Sequence, residues 1–192
     1  MSHRALLALA ALAVAGLLLL PACRRPTDLS GESMGQYEVR GQLEENTCES
    51  GYAAPESLWF HVELRDAAGS ELGWWKLPDA GIVEGTMTDD GTFRFEGHQP
   101  VVAVEADPAL GVPGCTLDRA EVVSGTLRGG PADASVPDDA GAGAAPGFTG
   151  TTTVVVSAAS GDCSSLVGST PGQFPTLPCE LRYALEAERV VD

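Results

Sequence analysis

From Leu58 to Arg65 the chain alternates without a break. Leu58, Phe60, Val62 and Leu64 occupy one set of positions, and Trp59, His61, Glu63 and Arg65 the other. Successive strand side chains point to opposite faces, so a period of two predicts a β-strand with an aliphatic and aromatic core face. Most of the chain shares this period, which leaves little room for helical packing.

Upstream, Tyr37, Val39, Gly41 and Leu43 alternate with Glu38, Arg40, Gln42 and Glu44. Downstream, strands are predicted at Leu72–Leu77 and, diluted by Gly85, at Ile82–Thr88. Asp89-Asp90-Gly91 then marks a hairpin, because Asp-Gly suits a turn with positive φ. Thr92–Glu96 returns with Phe93 and Phe95 inward, and Val101–Val104 continues it past a kink at Pro100. Thr116–Leu127 reads as a long strand. Phe148–Ser157 is rich in β-branched residues, which suit a pleated surface. In Glu180–Val190 the Glu, Leu and Ala content favours helix, but Leu181, Tyr183, Leu185 and Ala187 keep the period of two, so a strand is predicted. Residues 129–147 are Gly, Ala, Pro and Asp with almost nothing large to bury, and read as a disordered loop within one domain.

These segments give an all-β fold: a single antiparallel meander of about eight strands over residues 36–190, closed as a barrel or stacked as a two-sheet sandwich. Strand parity places Cys48, Cys115, Cys163 and Cys179 at one end of the molecule. Two disulfides are expected, each needing Cα atoms about 4.4–6.8 Å apart. Cys163–Cys179 with Cys48–Cys115 closes the shortest loop. Cys48–Cys179 with Cys115–Cys163 is the alternative, since an even-stranded barrel sets its first and last strands side by side.

The N-terminus carries an address. Met1 to Arg4 is a basic head, and Ala5 to Leu20 contains no polar side chain. That run falls short of the roughly 20 residues needed to cross a bilayer, and reads as a signal peptide over residues 1–22. Its end, Leu20-Pro21-Ala22-Cys23, resembles the lipobox of bacterial lipoproteins, with Pro21 where a small residue is commoner. The resemblance implies cleavage before Cys23, a thioether-linked diacylglycerol on that residue and an acylated amine, palmitate being a typical chain. Several acyl chains make bilayer attachment effectively permanent. Arg24, in place of the Asp associated with inner-membrane retention, implies the outer membrane. Residues 24–35 are polar and aperiodic and read as a tether.

An exported protein meets an oxidising compartment, in agreement with the four Cys that remain after Cys23. The formal charge of −16 argues against nucleic-acid binding, whose affinity comes largely from Lys and Arg on phosphates, and favours a soluble monomer. In strand pattern and Cys placement the domain distantly resembles small lipocalin-type barrels. That resemblance implies room for at most one small ligand and carries no site residue with it.

Motifs for catalysis are few. Gly31-Glu32-Ser33-Met34-Gly35 matches G-x-S-x-G, but that motif needs a strand before it and a helix after it. His61 with Glu63 lacks a nucleophile at a motif spacing, and His98 reads as a loop residue. Asp89-Asp90 lacks calcium-loop spacing, and the Cys spacings do not suit zinc. No cofactor or metal is expected, and the sequence reads as that of a non-enzymatic binding or envelope-structural protein, with a lipocalin-like carrier as the alternative and a hydrolase as the weakest reading. Trp59, Trp74 and Trp75 are the candidate binding residues: Trp74 and Trp75 are adjacent, so one must face away from the core, and exposed aromatic surface can mark a binding patch.

Overall fold

The computed structural model describes residues 31–78, 81–128, 146–170 and 172–190. The signal peptide, Cys23, the tether up to residue 30 and residues 129–145 of the low-complexity loop lie outside the described residues. Eight strands follow one another: β1 (Glu32–Asn46), β2 (Ser57–Asp66), β3 (Leu72–Leu77), β4 (Gly81–Met87), β5 (Thr92–Val104), β6 (Cys115–Arg128), β7 (Gly147–Gly161) and β8 (Cys179–Arg189). Each pairs antiparallel with its neighbour, and β1 pairs β8, so the meander closes into a barrel. The barrel alternative holds and the sandwich does not. Closure removes the sheet edges that a two-sheet sandwich would leave unpaired. No α-helix is found among the described residues; single 3-10 turns occur at Glu49–Gly51 and Ser164–Leu166.

Several boundaries differ from expectation. β1 begins at Glu32, so the last residues assigned to the tether are strand, and Ser33 pairs with Arg65 on β2. The G-x-S-x-G match therefore has no helix after it. Gly147, assigned to the loop, opens β7 and pairs with Glu188. His98 lies in the middle of β5, which continues through Pro100 to Val104 and pairs with β6, with one irregularity between Val102 and Val104. C-terminal helix propensity loses to the β1 and β7 ladders on either side of β8.

Phase decides what is inside. Tyr37, Val39, Val62, Leu64, Trp75, Phe93, Phe95, Phe148, Leu181, Tyr183 and Leu185 are all buried. Trp75, Phe93, Phe95 and Phe148 form one aromatic cluster, with ring centroids 5.3–6.2 Å apart, in the tilted and edge-on arrangements that ring quadrupoles favour. The outer face carries Glu63, which pairs with Arg65 and Lys76 at 2.7 Å each, and Arg94, Glu96 and Asp118. A largely apolar interior with a charged exterior is the opposite of the pattern of a transmembrane barrel.

All four Cys sit at one end of the barrel, as parity requires, but the shortest-loop pairing is not the one formed. Cys48 bonds Cys179 and Cys115 bonds Cys163, each with Cα atoms 5.0 Å apart. Barrel closure is the reason: the β1–β8 seam sets Asn46 opposite Leu181, and the β6–β7 ladder sets Cys115 opposite Gly161.

Candidate ligand cavity

The wall of the barrel is uneven. β4 pairs β3 along its whole length, from Leu72↔Thr86 to Leu77↔Gly81, but pairs β5 only from Gly85↔Phe95 to Met87↔Phe93. Gly85 permits that short seam, because a Cβ there would lie 2.2 Å from the Arg94 carbonyl oxygen. The residue that dilutes the fourth strand in sequence is thus the one that lets it pair. Beyond Gly85 the two strands part, and a cavity of about 470 Å³ opens between them.

Trp75, Leu77, Val83, Phe95 and Val123 supply its apolar walls, and Gln99, Arg119 and Glu121 its polar side. The polar side is internally paired. Arg119 donates from Nη2 to Glu121 Oε2 at 2.7 Å and from Nε to the Tyr52 hydroxyl at 3.0 Å. Glu121 also accepts from the Thr152 hydroxyl at 3.3 Å. Thr152 is buried, so its bond to Glu121 satisfies a hydroxyl that burial would otherwise penalise, while Arg119 and Glu121 stay partly accessible from the cavity. His98 sits at the rim on the outer face. Its Nδ1 lies 3.0 Å from Asp118 Oδ2 and its Nε2 3.5 Å from Glu96 Oε1. The hydrogen bond and charge of Asp118, seconded by Glu96, raise its pKa above the ordinary histidine value.

The cavity offers two kinds of surface. One wall set excludes water, and the other presents donors and acceptors at fixed places, the usual composition of a small-molecule pocket. Comparison with protein-family models, curated proteins and solved structures finds no match.

The three tryptophans are scattered. Trp75 faces inward and lines the cavity. Trp74 faces outward but is buried, and a Cβ on Gly31 would lie 2.6 Å from its ring. Trp59 is 65 % exposed on the outer face of β2, edge-on to His61 at 5.1 Å. It borders a shallow groove with Arg40 and Gln42 of β1 and Glu186 of β8. Trp59 and Arg40 beside Glu38 hold that carboxyl below the usual carboxylate range. The three candidate binding residues thus face three environments, and Trp59 is the exposed one. Glu63 turns to Arg65 and Lys76 rather than to His61, so no acid–base pair forms there. No cluster of three metal-ligating side chains occurs among the described residues.

Gln99, Arg119 and Glu121 match no catalytic or binding motif in the sequence. A signal was available. Gln99 is in phase with the inward Phe93 and Phe95, and Arg119 and Glu121 are in phase with Leu117 and Val123. Polar residues in an apolar register mark either an error of phase or a polar group with work inside the barrel.

Proposed function

We propose that this protein is an exported, lipid-anchored binding protein that holds a small amphipathic molecule in the cavity between β4 and β5, without transforming it. The observation that carries this reading is the parting of β4 from β5 beside an otherwise filled core. Leu64, Phe93 and Tyr183 do occupy the interior, yet a space of about 470 Å³ remains, with apolar walls and one polar side. That volume falls in the range of ordinary ligand pockets, roughly 300–1,000 Å³. The anchor part of the reading rests on Leu20-Pro21-Ala22-Cys23, with Cys23 acylated and the barrel held at the outer membrane by its tether.

Two measurements test the two parts separately. N-phenyl-1-naphthylamine, an uncharged probe that brightens in apolar sites, should bind saturably at one site per chain and fail to bind Val83→Trp, whose larger ring fills the cavity. Absence of saturable binding by the unaltered protein defeats the carrier reading. Intact mass of the membrane-extracted protein should show an acylated Cys23 at the N-terminus, and Cys23→Ser should shift the protein to the soluble fraction. An unmodified or differently cleaved N-terminus defeats the anchor reading.

A further inference from the structure

The inner face of the β5–β6 ladder does not end at the first cavity. Along it, Val123, Glu121, Arg119 and Leu117 follow one another on β6, opposite Phe95, Gly97, Gln99 and Val101 on β5. At about 3.3 Å per residue the row from Val123 to Leu117 is roughly 20 Å long. Its first part is the floor of the 470 Å³ cavity. Its last part is the floor of a second space of about 300 Å³, bounded by Ala103, Leu117, Val156 and Phe174. Arg119 lines both.

The second space is roofed by loops that the disulfides pin. Cys163 and Cys179 bracket the segment carrying Leu166 and Phe174, and each is bonded to a different part of the barrel. The Gly172 N–H donates to Ser50 Oγ at 3.1 Å, tying this segment to the loop that holds Tyr52. A Cβ on Gly51 would lie 2.6 Å from the Phe174 ring, so the glycine lets the two loops close over the barrel end. Tyr52 in turn accepts the hydrogen bond from Arg119 Nε.

Arg119 thus stands between two apolar compartments. Its Nε and Nη2 are engaged by Tyr52 and Glu121, and Nη1 has no hydrogen-bond partner among the described residues. Glu121 already balances its charge. An anionic ligand would meet Glu121, and a cationic one would meet Arg119, so the pair disfavours both. What remains open is a donor, with Gln99 and Glu121 beside it and apolar surface beyond them in one compartment and next to it in the other.

We propose that the two cavities form one two-compartment site, in which Arg119 selects an uncharged molecule with two apolar arms joined by a carbonyl acceptor, as in a secondary amide or an ester. This rests on the carrier reading and adds to it the ligand class and the second compartment. The carbonyl oxygen accepts from Arg119 Nη1, one arm lies against Trp75 and Phe95, and the other lies beneath Phe174.

Isomeric amides test it by displacement of N-phenyl-1-naphthylamine from the full chain. N-butylhexanamide carries its amide between two arms, decanamide carries the same atoms with the amide at one end, and decanoate adds a charge. N-butylhexanamide should displace the probe at a concentration about tenfold or more below the other two, since burying a second short arm is a gain of that order. Ala103→Phe, which fills the second compartment from an exposed strand position, should weaken N-butylhexanamide about tenfold and change decanamide by less than about twofold. Arg119→Met should erase the preference between the isomers. Equal or tighter binding of decanamide or decanoate overturns the inference, as does an unchanged preference in Ala103→Phe. If the probe binds and none of the three compounds displaces it, this inference fails while the carrier reading stands. If the probe does not bind, the carrier reading fails first.

Discussion

Cys48 and Cys179 are 131 residues apart in the chain and 5.0 Å apart at Cα, and their bond fastens the first strand of the barrel to the last. The β1–β8 seam is the pairing with the longest sequence separation in the fold, and the one whose closure costs the unfolded chain most entropy. In the chain-entropy account, cross-linking a loop of that length is worth about 5 kcal/mol, against about 4 kcal/mol for the 48-residue separation of Cys115 and Cys163. The second bridge shortens the effective loop of the first, which narrows the difference. Urea unfolding of Cys48→Ala/Cys179→Ala and of Cys115→Ala/Cys163→Ala should show losses of roughly 3–5 kcal/mol each, the former the larger. A loss below about 1 kcal/mol for the seam bridge would mean that β1–β8 pairing persists in the unfolded state.

Glycines on the inner face divide into two kinds. Gly125 and Gly150 are paired across β6 and β7, and a Cβ on Gly125 would lie 2.6 Å from both the Phe93 ring and the Thr149 carbonyl oxygen. Gly97 has nothing nearer than Val83 Cγ1 at 3.8 Å. Gly125→Ala should therefore destabilise by about 1–3 kcal/mol through overpacking. Gly97→Ala should be neutral or stabilise by up to about 1 kcal/mol, by restricting the unfolded chain, while narrowing the cavity it lines. Chemical denaturation of the two variants side by side checks the pair; equal costs would contradict the packing around Phe93.

The antiparallel meander was legible, though not its closure into a barrel, because period-two phase is a local property: Leu58–Leu64, Phe93–Phe95 and Leu181–Leu185 each announce their inward face without knowledge of the partner strand. Strand parity likewise placed all four cysteines at one end. Their pairing was not legible, since it depends on closure, a property of strands 131 residues apart. The cavity was harder still. It exists because β4 and β5 part after Gly85↔Phe95, and no short-range pattern encodes where a ladder stops. Adjacency sends Trp74 and Trp75 to opposite faces, which is legible, but only the fold decides that the outward one is covered.

His98 gives the barrel a pH-dependent outer contact. Asp118 first, and Glu96 second, raise its folded-state pKa above an unfolded value of about 6.5. Stability from this contact is therefore complete below about pH 6.5 and is lost as pH rises through the folded-state value. Asp118→Asn should lower the His98 titration midpoint followed by proton NMR. His98→Gln should flatten the fall in urea midpoint across that window. His98 is exposed and Asp118 only half-buried, so added salt should shrink both effects. A His98 midpoint unaffected by Asp118→Asn would show that the 3.0 Å contact does not persist in solution.

Tryptophan accessibility checks the placement of the aromatic residues without a ligand. Trp59 is 65 % exposed, against 7 % for Trp74 and 3 % for Trp75. Acrylamide should quench one emitting population readily and leave a blue-shifted remainder. Trp59→Phe should remove the accessible population and leave the fold intact, because its ring packs on His61 at the surface rather than in the core. Surface substitutions of this kind usually stay within about 0.5 kcal/mol. Trp75→Phe should instead dim the protected emission and lower stability by up to several kcal/mol, since Phe60, Phe93, Phe95 and Phe148 all pack on that ring. The same substitution enlarges the cavity, so it should also alter probe binding where Trp59→Phe does not. Strong quenching that survives Trp59→Phe would place a second indole in water and contradict either the covered position of Trp74 or the inward position of Trp75.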